Sequence, residues 1–261
     1  MGTSQVQGSL WGARVRDYAE IVERFGCPLY EAVFDAAGVE AGMQLLDVGC
    51  GPGLATQLAA RRGAHIAGLD AAEAALAIAR ERTPQGDFRA GEMEDLPWPD
   101  NTFDVVTGFN AFQYAADVVN ALREARRVAR PGGRVAMAVW GRAEDNTDMA
   151  ALITALGRFL PPPPPGAPGP FALSAPGRVE ALLEQAGLTP LSSGEVECPF
   201  EFPDLETALR GHMSSGPAAA AIRQAGDEAV RRAIAEVMTP FRTSGAGYRQ
   251  RTRFRYVIAT V

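Results

Sequence analysis

The sequence predicts an α/β fold built on a doubly wound, mostly parallel sheet, and three observations carry that reading. Apolar runs of strand length alternate with helical segments from residue 43 to 140, with strands near 44–48, 65–69, 87–89, 104–109 and 134–140. Such alternation implies parallel strands joined by crossover helices. The first strand runs into Gly49-Cys50-Gly51-Pro52-Gly53, a turn whose glycines let backbone approach a ligand, and Leu54 to Arg62 then read as a helix. An acidic residue, Asp70, closes the second strand seventeen residues past Gly53.

The stretch up to about residue 40 reads as helical, with Tyr18, Ile21, Val22 and Phe25 on one face. Gly26 and Pro28 interrupt it, and Tyr30 to Ala37 resume. After Gly141 the pattern loosens. Pro161 to Pro165 and the following Gly166-Ala167-Pro168-Gly169-Pro170 read as an extended connector, the alternative being a ligand for a proline-binding module. Ser174 with Pro176 is expected to open a helix through Gln185, stopped by Gly187. Residues 188–202 read as one long strand broken by Pro190 and Pro199. Asp204 to Met238 is helical with a break at Gly216-Pro217, and Arg253 to Val261 ends as an apolar strand.

Composition narrows the class. The chain has 261 residues, 47% hydrophobic and 21% charged, with a net charge of −6. That charge gives nucleic acid no reason to bind. The three scattered cysteines, Cys27, Cys50 and Cys198, form no C-x-x-C pair and argue for a reducing, cytoplasmic setting. No run of 18 apolar residues exists, so no membrane association is expected. Monomer and homodimer both stay open.

The glycine spacing excludes one ligand class. A dinucleotide fingerprint counted from Gly49 needs a third glycine at position 54, where Leu54 stands. An acid at the end of the second strand suits a ribose diol. A nucleoside without a pyrophosphate is therefore expected, and a dinucleotide-dependent oxidoreductase is disfavoured.

Three blocks carry a resemblance: residues 45–53 (Leu-Leu-Asp-Val-Gly-Cys-Gly-Pro-Gly), residues 91–106 from Gly91 to Val106, and Arg127-Val128-Ala129-Arg130-Pro131-Gly132-Gly133-Arg134. In order and spacing they resemble class I S-adenosylmethionine-dependent methyltransferases, in particular the small-molecule group called type 11. The resemblance covers roughly residues 40 to 141. It implies a Rossmann-like seven-stranded sheet of order 3-2-1-4-5-7-6 with strand 7 antiparallel. The expected division is an N-terminal helical cover (1–40), a cofactor-binding core (41–141), lid insertions (142–175 and 203–250), and the remaining core helix and strands (176–202 and 251–261). The implied reaction moves a methyl group from S-adenosylmethionine to a small organic acceptor by in-line displacement, leaving S-adenosylhomocysteine. A non-catalytic S-adenosylmethionine sensor or scaffold is the rival.

The resemblance also implies roles. Asp47, Gly49, Gly51 and Gly53 would line the methionine end of the cofactor. Asp70, followed by Ala71, would accept from both ribose hydroxyls, or cap the next helix, or do both. Glu92, where the group usually has Asp, would meet the adenine amino group, and the Met93 N–H a ring nitrogen; the alternative is a solvated acidic loop with Glu94 and Asp95. Thr107 to Tyr114 would face the methyl group, bringing Phe109, Asn110 and Tyr114 against the cofactor. Tyr18 and Tyr114 could close over the sulfonium by cation–π attraction. Trp11, Tyr30 and Phe112 are further wall candidates, though core packing suits any one of them.

His212, in the lid, is the candidate acid–base residue, the alternative being a packing histidine. Metal is not expected: the fourth strand does not end in Asp, and Asp145-Asn146 falls about five residues late for a ligand pair. Arg249, Arg251, Arg253 and Arg255 recur at period two. They would flank a strand and face solvent, or receive an anionic substrate. Arg123, Arg126, Arg127 and Arg130 read as a solvated helix face.

Overall fold

The computed structural model describes residues 2–162 and 171–261. Most of the expected proline-rich connector, residues 163–170, therefore lies outside the described residues. The chain opens with α1 (Ser4–Trp11) and the single turn α2 (Val15–Asp17). A π-helical turn follows over Tyr18–Val22, then a 3-10 turn over Glu23–Gly26 and α3 (Cys27–Ala37). Pro28 stands in the first turn of α3, where its missing N–H costs nothing, so the predicted interruption is a fresh helix start.

The core then alternates as β1 (Gln44–Val48), α4 (Leu54–Arg61), β2 (His65–Asp70), α5 (Glu73–Arg82), β3 (Asp87–Ala90), β4 (Phe103–Phe109), α6 (Val118–Val128) and β5 (Ala129–Trp140). Beyond it come α7 (Thr147–Gly157), α8 (Arg178–Gln185), β6 (Thr189–Glu197), β7 (Phe200–Phe202), α9 (Leu205–Met213), α10 (Gly216–Ala225), α11 (Asp227–Met238), β8 (Tyr248–Gln250) and β9 (Arg253–Thr260).

The main sheet has the order β3-β2-β1-β4-β5-β9-β6, with β9 antiparallel to both neighbours. This is the expected topology, β9 taking the place of the seventh strand. In β1, Leu46 and Val48 enter the core on one sheet face while Leu45 joins the core on the other. Both faces are thus covered, α3, α4 and α5 on Leu45's side and α6 and α8 opposite.

Three expectations need correction. The long strand at 188–202 is two: Cys198 and Pro199 lie outside any strand, and β7 leaves the main sheet to pair with β8. Proline cannot donate to a ladder, so the break falls beside Pro199. The helix expected from Ser174 begins at Arg178 instead: Gly177 before it lies at φ +74°, outside helical geometry, and the Ser174 hydroxyl donates to the Trp140 carbonyl at 2.8 Å. Arg127 is no solvated side chain. It pairs with Glu124 and Asp100 and donates to the carbonyls of Leu96 and Trp98, which pins the loop before β4.

Three of the four period-two arginines pair within the protein, and Arg251 is exposed. Arg253 pairs with Glu195 and Glu197 of β6, Arg255 with Glu180 of α8, and Arg249 with Glu201 of β7. Beyond the sheet's carboxyl edge, α7, α9, α10 and α11 pack on one another, and α1 rests on α10. No helix among the described residues is long and apolar enough to cross a membrane.

Candidate functional site

The strand order reverses direction between β1 and β4, and a crevice opens there at the carboxyl ends of the strands, the usual ligand position of an open α/β sheet. A first cavity of about 130 Å³ lies along this crevice. Gly51 sits in its wall at φ +54°, and a Cβ added there would meet no protein atom within 4 Å, so the turn leaves room for a ligand. Gly49, also in the wall, has φ +75°.

Asp70 braces this turn. Its Oδ2 accepts the Gly51 N–H at 2.8 Å and its Oδ1 accepts the Ala72 N–H at 2.7 Å. Each oxygen keeps a lone pair, so a diol can still be bound. Burial pushes its carboxyl above the usual range, and the amides of Ala72 and Gly51 pull it back. Ala71 and Met93 line the same cavity and supply apolar surface for a planar base.

Glu92 lines the cavity too, but its oxygens are engaged: Oε2 accepts the Ser4 N–H at 2.9 Å, and Oε1 accepts the Met93 N–H at 3.1 Å. The chain's own N-terminal segment thus takes up the acid expected for adenine. The Thr3 hydroxyl adds a bond to the Tyr114 carbonyl at 2.6 Å, and α1 passes close over Ala71.

Asp47 and Gly53 stand behind the wall instead of in it. Asp47 is buried, accepts the Thr107 hydroxyl at 2.7 Å, and is pushed up to about 7 by burial and by the neighbouring charge of Asp70. Gly53 begins α4 with its backbone packed on Ala79.

A second, larger cavity of about 740 Å³ lies between the sheet edge and the helical layer. The two cavities share Trp11, Tyr18, Phe109, Asn110 and Tyr114. The Trp11 ring meets Tyr18 and Tyr114 edge-on at 5.9 and 5.7 Å. Asn110 has φ +51°, rare for a residue with a side chain, and this backbone strain falls at the junction of the two cavities. Burial raises the Tyr18 and Tyr114 hydroxyls, Tyr114 to about 12, so both are neutral donors. Of the remaining wall candidates, Tyr30 lines the second cavity, while Phe112 is fully buried and fills the space above Gly108.

His212 lies in the wall of the second cavity, far in sequence from the glycine turn. Its α9 packs on the π turn that carries Tyr18. Its Nε2 stands 2.6 Å from Gln250 Oε1, and its ring packs against Phe202 at 5.1 Å. Burial lowers its pKa to about 4, so the ring is neutral. With Nε2–H donating to Gln250, Nδ1 is left as the proton acceptor.

Several residues escaped the sequence reading. Glu23 lines the second cavity and accepts the Leu54 N–H at 2.9 Å, while Arg82 binds Glu23 and the Pro52 carbonyl. Gln250 holds His212. None of these pairs is local in sequence, and no spacing signals them. Asn146 spends its amide on Arg142 and Arg253.

Residues 46–137 match the family described as a methyltransferase domain. The ubiquinone biosynthesis O-methyltransferase of Ruegeria pomeroyi is 35% identical over 156 residues, 58% of this chain and 62% of that protein. The malonyl-[acyl-carrier protein] O-methyltransferase of Erwinia pyrifoliae is 28% identical over 215 residues, 81% of this chain and 76% of that protein. A SAM-dependent methyltransferase structure from Aquifex aeolicus superposes with a TM-score of 0.54 at 21% identity, covering 71% of this chain and 92% of that one. The chain spans less than two thirds of the Ruegeria relative's length, with the likeness densest where β1 to β5 build the crevice. Over that core, from the first strand to the fifth, the chain is thus similar to a methyltransferase domain.

Proposed function

We propose that this protein transfers a methyl group from S-adenosylmethionine to a small-molecule acceptor held in the larger cavity. The observation that carries the reading is the junction of the two cavities at Tyr18, Asn110 and Tyr114. The relatives' names, each a methyltransferase, support it. In this reading Asp70 receives the ribose diol, Gly49 and Gly51 admit the methionine end, and Ala71 and Met93 flank the base. Asp47 acts from behind the turn by holding the Thr107 hydroxyl of β4. Glu92 anchors Ser4 and holds the N-terminal segment across the site.

The bound cofactor supplies an electrophilic methyl carbon on a sulfonium. The protein's task is to align the acceptor and keep water out. The helical layer of α7 and α9–α11 serves as the lid. Tyr18 and Tyr114 place aromatic faces at the junction, suited to a cation. Nδ1 of His212 takes the proton that the acceptor gives up. Three free cysteines, two of them buried, fit a reducing cytoplasm.

Isothermal titration with S-adenosylmethionine and S-adenosylhomocysteine tests the reading. Micromolar binding of both is expected, followed by turnover of labelled cofactor with a metabolite extract. Absence of binding to either would refute it.

A further inference from the structure

The second cavity contains more information about its occupant than the fold alone provides. At about 740 Å³ it is large enough for a drug-sized molecule. Along α7, Met149, Leu152 and Leu156 recur at i, i+3 and i+7 and present one apolar stripe to it. On the sheet side, Trp140 of β5 and Phe254 of β9 are neighbours across the ladder. Their rings stack on each other at 4.6 Å with an interplanar angle of 27°, so the pair stands in the cavity wall as a two-ring stack whose outer face serves as an aromatic plate. Offset stacking on such a plate favours a planar unsaturated ring over an aliphatic chain.

Charge in the wall is already compensated. Glu23 is bound by Arg82, while Asp117 and Arg178 are exposed and stand at the rim. Among the described lining residues, no buried side chain offers an unpaired charge to an occupant. A carboxylate or ammonium entering the cavity would lose its hydration and find no counterion, which disfavours it against a neutral occupant. The polar groups that do face inward are neutral: the hydroxyls of Tyr18 and Tyr30, the amides of Asn110 and Gln113, and His212. They suit a hydroxyl or carbonyl.

The geometry points to a neutral, planar-ring acceptor carrying a hydroxyl, its ring extending the Trp140–Phe254 stack and its hydroxyl turned toward the cavity junction. This inference rests on the methyl-transfer reading for its chemistry, but its occupant is testable by binding alone.

Three matched probes decide it: 4-hydroxybiphenyl, biphenyl-4-carboxylate and biphenyl-4-methylammonium, each titrated into the full chain saturated with S-adenosylhomocysteine at pH 7.5. The expected result is saturable binding of 4-hydroxybiphenyl at least tenfold tighter than either charged probe, with quenching of tryptophan fluorescence. Equal or tighter binding of a charged probe, or no saturable binding of 4-hydroxybiphenyl, overturns it. Replacing Trp140→Leu removes half of the stack and should weaken 4-hydroxybiphenyl at least fivefold while leaving S-adenosylhomocysteine affinity unchanged. An unaltered affinity for the probe would remove the plate from the proposal. Failure of S-adenosylhomocysteine itself to bind counts against the methyl-transfer reading, whereas its binding without the probe's counts against the acceptor class alone.

Discussion

Glu23 and Arg82 form a buried ion pair against the glycine turn, although 58 residues lie between them. The same guanidinium donates to the carbonyls of Pro52 and Ala19, and the same carboxylate accepts the Leu54 N–H. One pair thereby ties the N-terminal cover, the turn and the end of α5 together. Replacing Arg82→Met leaves a buried carboxylate without its cation, and about 3–5 kcal/mol of stability should go with it. The Glu23→Gln/Arg82→Met double variant should recover part of that loss. Urea unfolding of Glu23→Gln, Arg82→Met and the double variant checks both expectations, and full additivity of the two single losses would show that the residues do not act as a pair.

Asp70 does two things at once, so Asp70→Ala should have two readouts. Cofactor affinity should fall more than tenfold as the diol partner goes. Stability should fall by about 1–2 kcal/mol, because the Gly51 and Ala72 amides lose their acceptor. Calorimetry and thermal melts measure the two separately, and retained affinity would remove Asp70 from the ribose site.

Asp47 should make the fold less stable as pH rises. Its folded pKa is pushed up to about 7 from an ordinary 3.8, so the folded state keeps a proton that the unfolded chain has lost. Stability present below the unfolded value is therefore given up between roughly pH 4 and 7, at 1.4 kcal/mol per unit. Asp47→Asn still accepts from Thr107 and removes that slope. Melting curves at pH 4, 5.5 and 8 should show the variant gaining on the parent step by step as pH rises, most of all at pH 8.

For His212 the sign is opposite. Its folded pKa is lowered to about 4 from an ordinary 6.5, so the unfolded chain takes up the proton first. Its contribution is whole above pH 6.5 and is lost as pH falls toward 4. His212→Gln should flatten that acid limb. If Nδ1 also receives the acceptor's proton, kcat should drop by a factor of about 10²–10⁴, while KM for the cofactor changes little. A change confined to stability would leave His212 a packing residue.

Trp11 seals the place where the cavities meet, packed edge-on against Tyr18 and Tyr114 and over Gly216. Trp11→Ala should speed release of S-adenosylhomocysteine by about tenfold, since aromatic pairs of this kind contribute about 0.5–1.5 kcal/mol each. Stopped-flow displacement reads this directly. An unchanged release rate would show that the seal is elsewhere.

The sequence by itself determined the parallel sheet, the glycine turn and the acid that ends the second strand. Each depends on local patterning: apolar strand runs, glycine spacing, and an acid placed where the second strand ends. That is why Gly49, Gly51 and Asp70 were legible before any coordinates, while the order β3-β2-β1-β4-β5-β9-β6 was implied only by the family resemblance of the three blocks. The tertiary structure alone decided the rest. It moved Asp47 and Gly53 behind the wall, gave Glu92 to Ser4, and paired His212 with Gln250. It also turned Met149, Leu152 and Leu156, an ordinary core stripe in sequence, toward an open cavity. Whether an apolar helix face packs on side chains or lines an acceptor site depends on how far the opposite layer stands from it. That distance is set by the whole packed fold, and no local spacing encodes it.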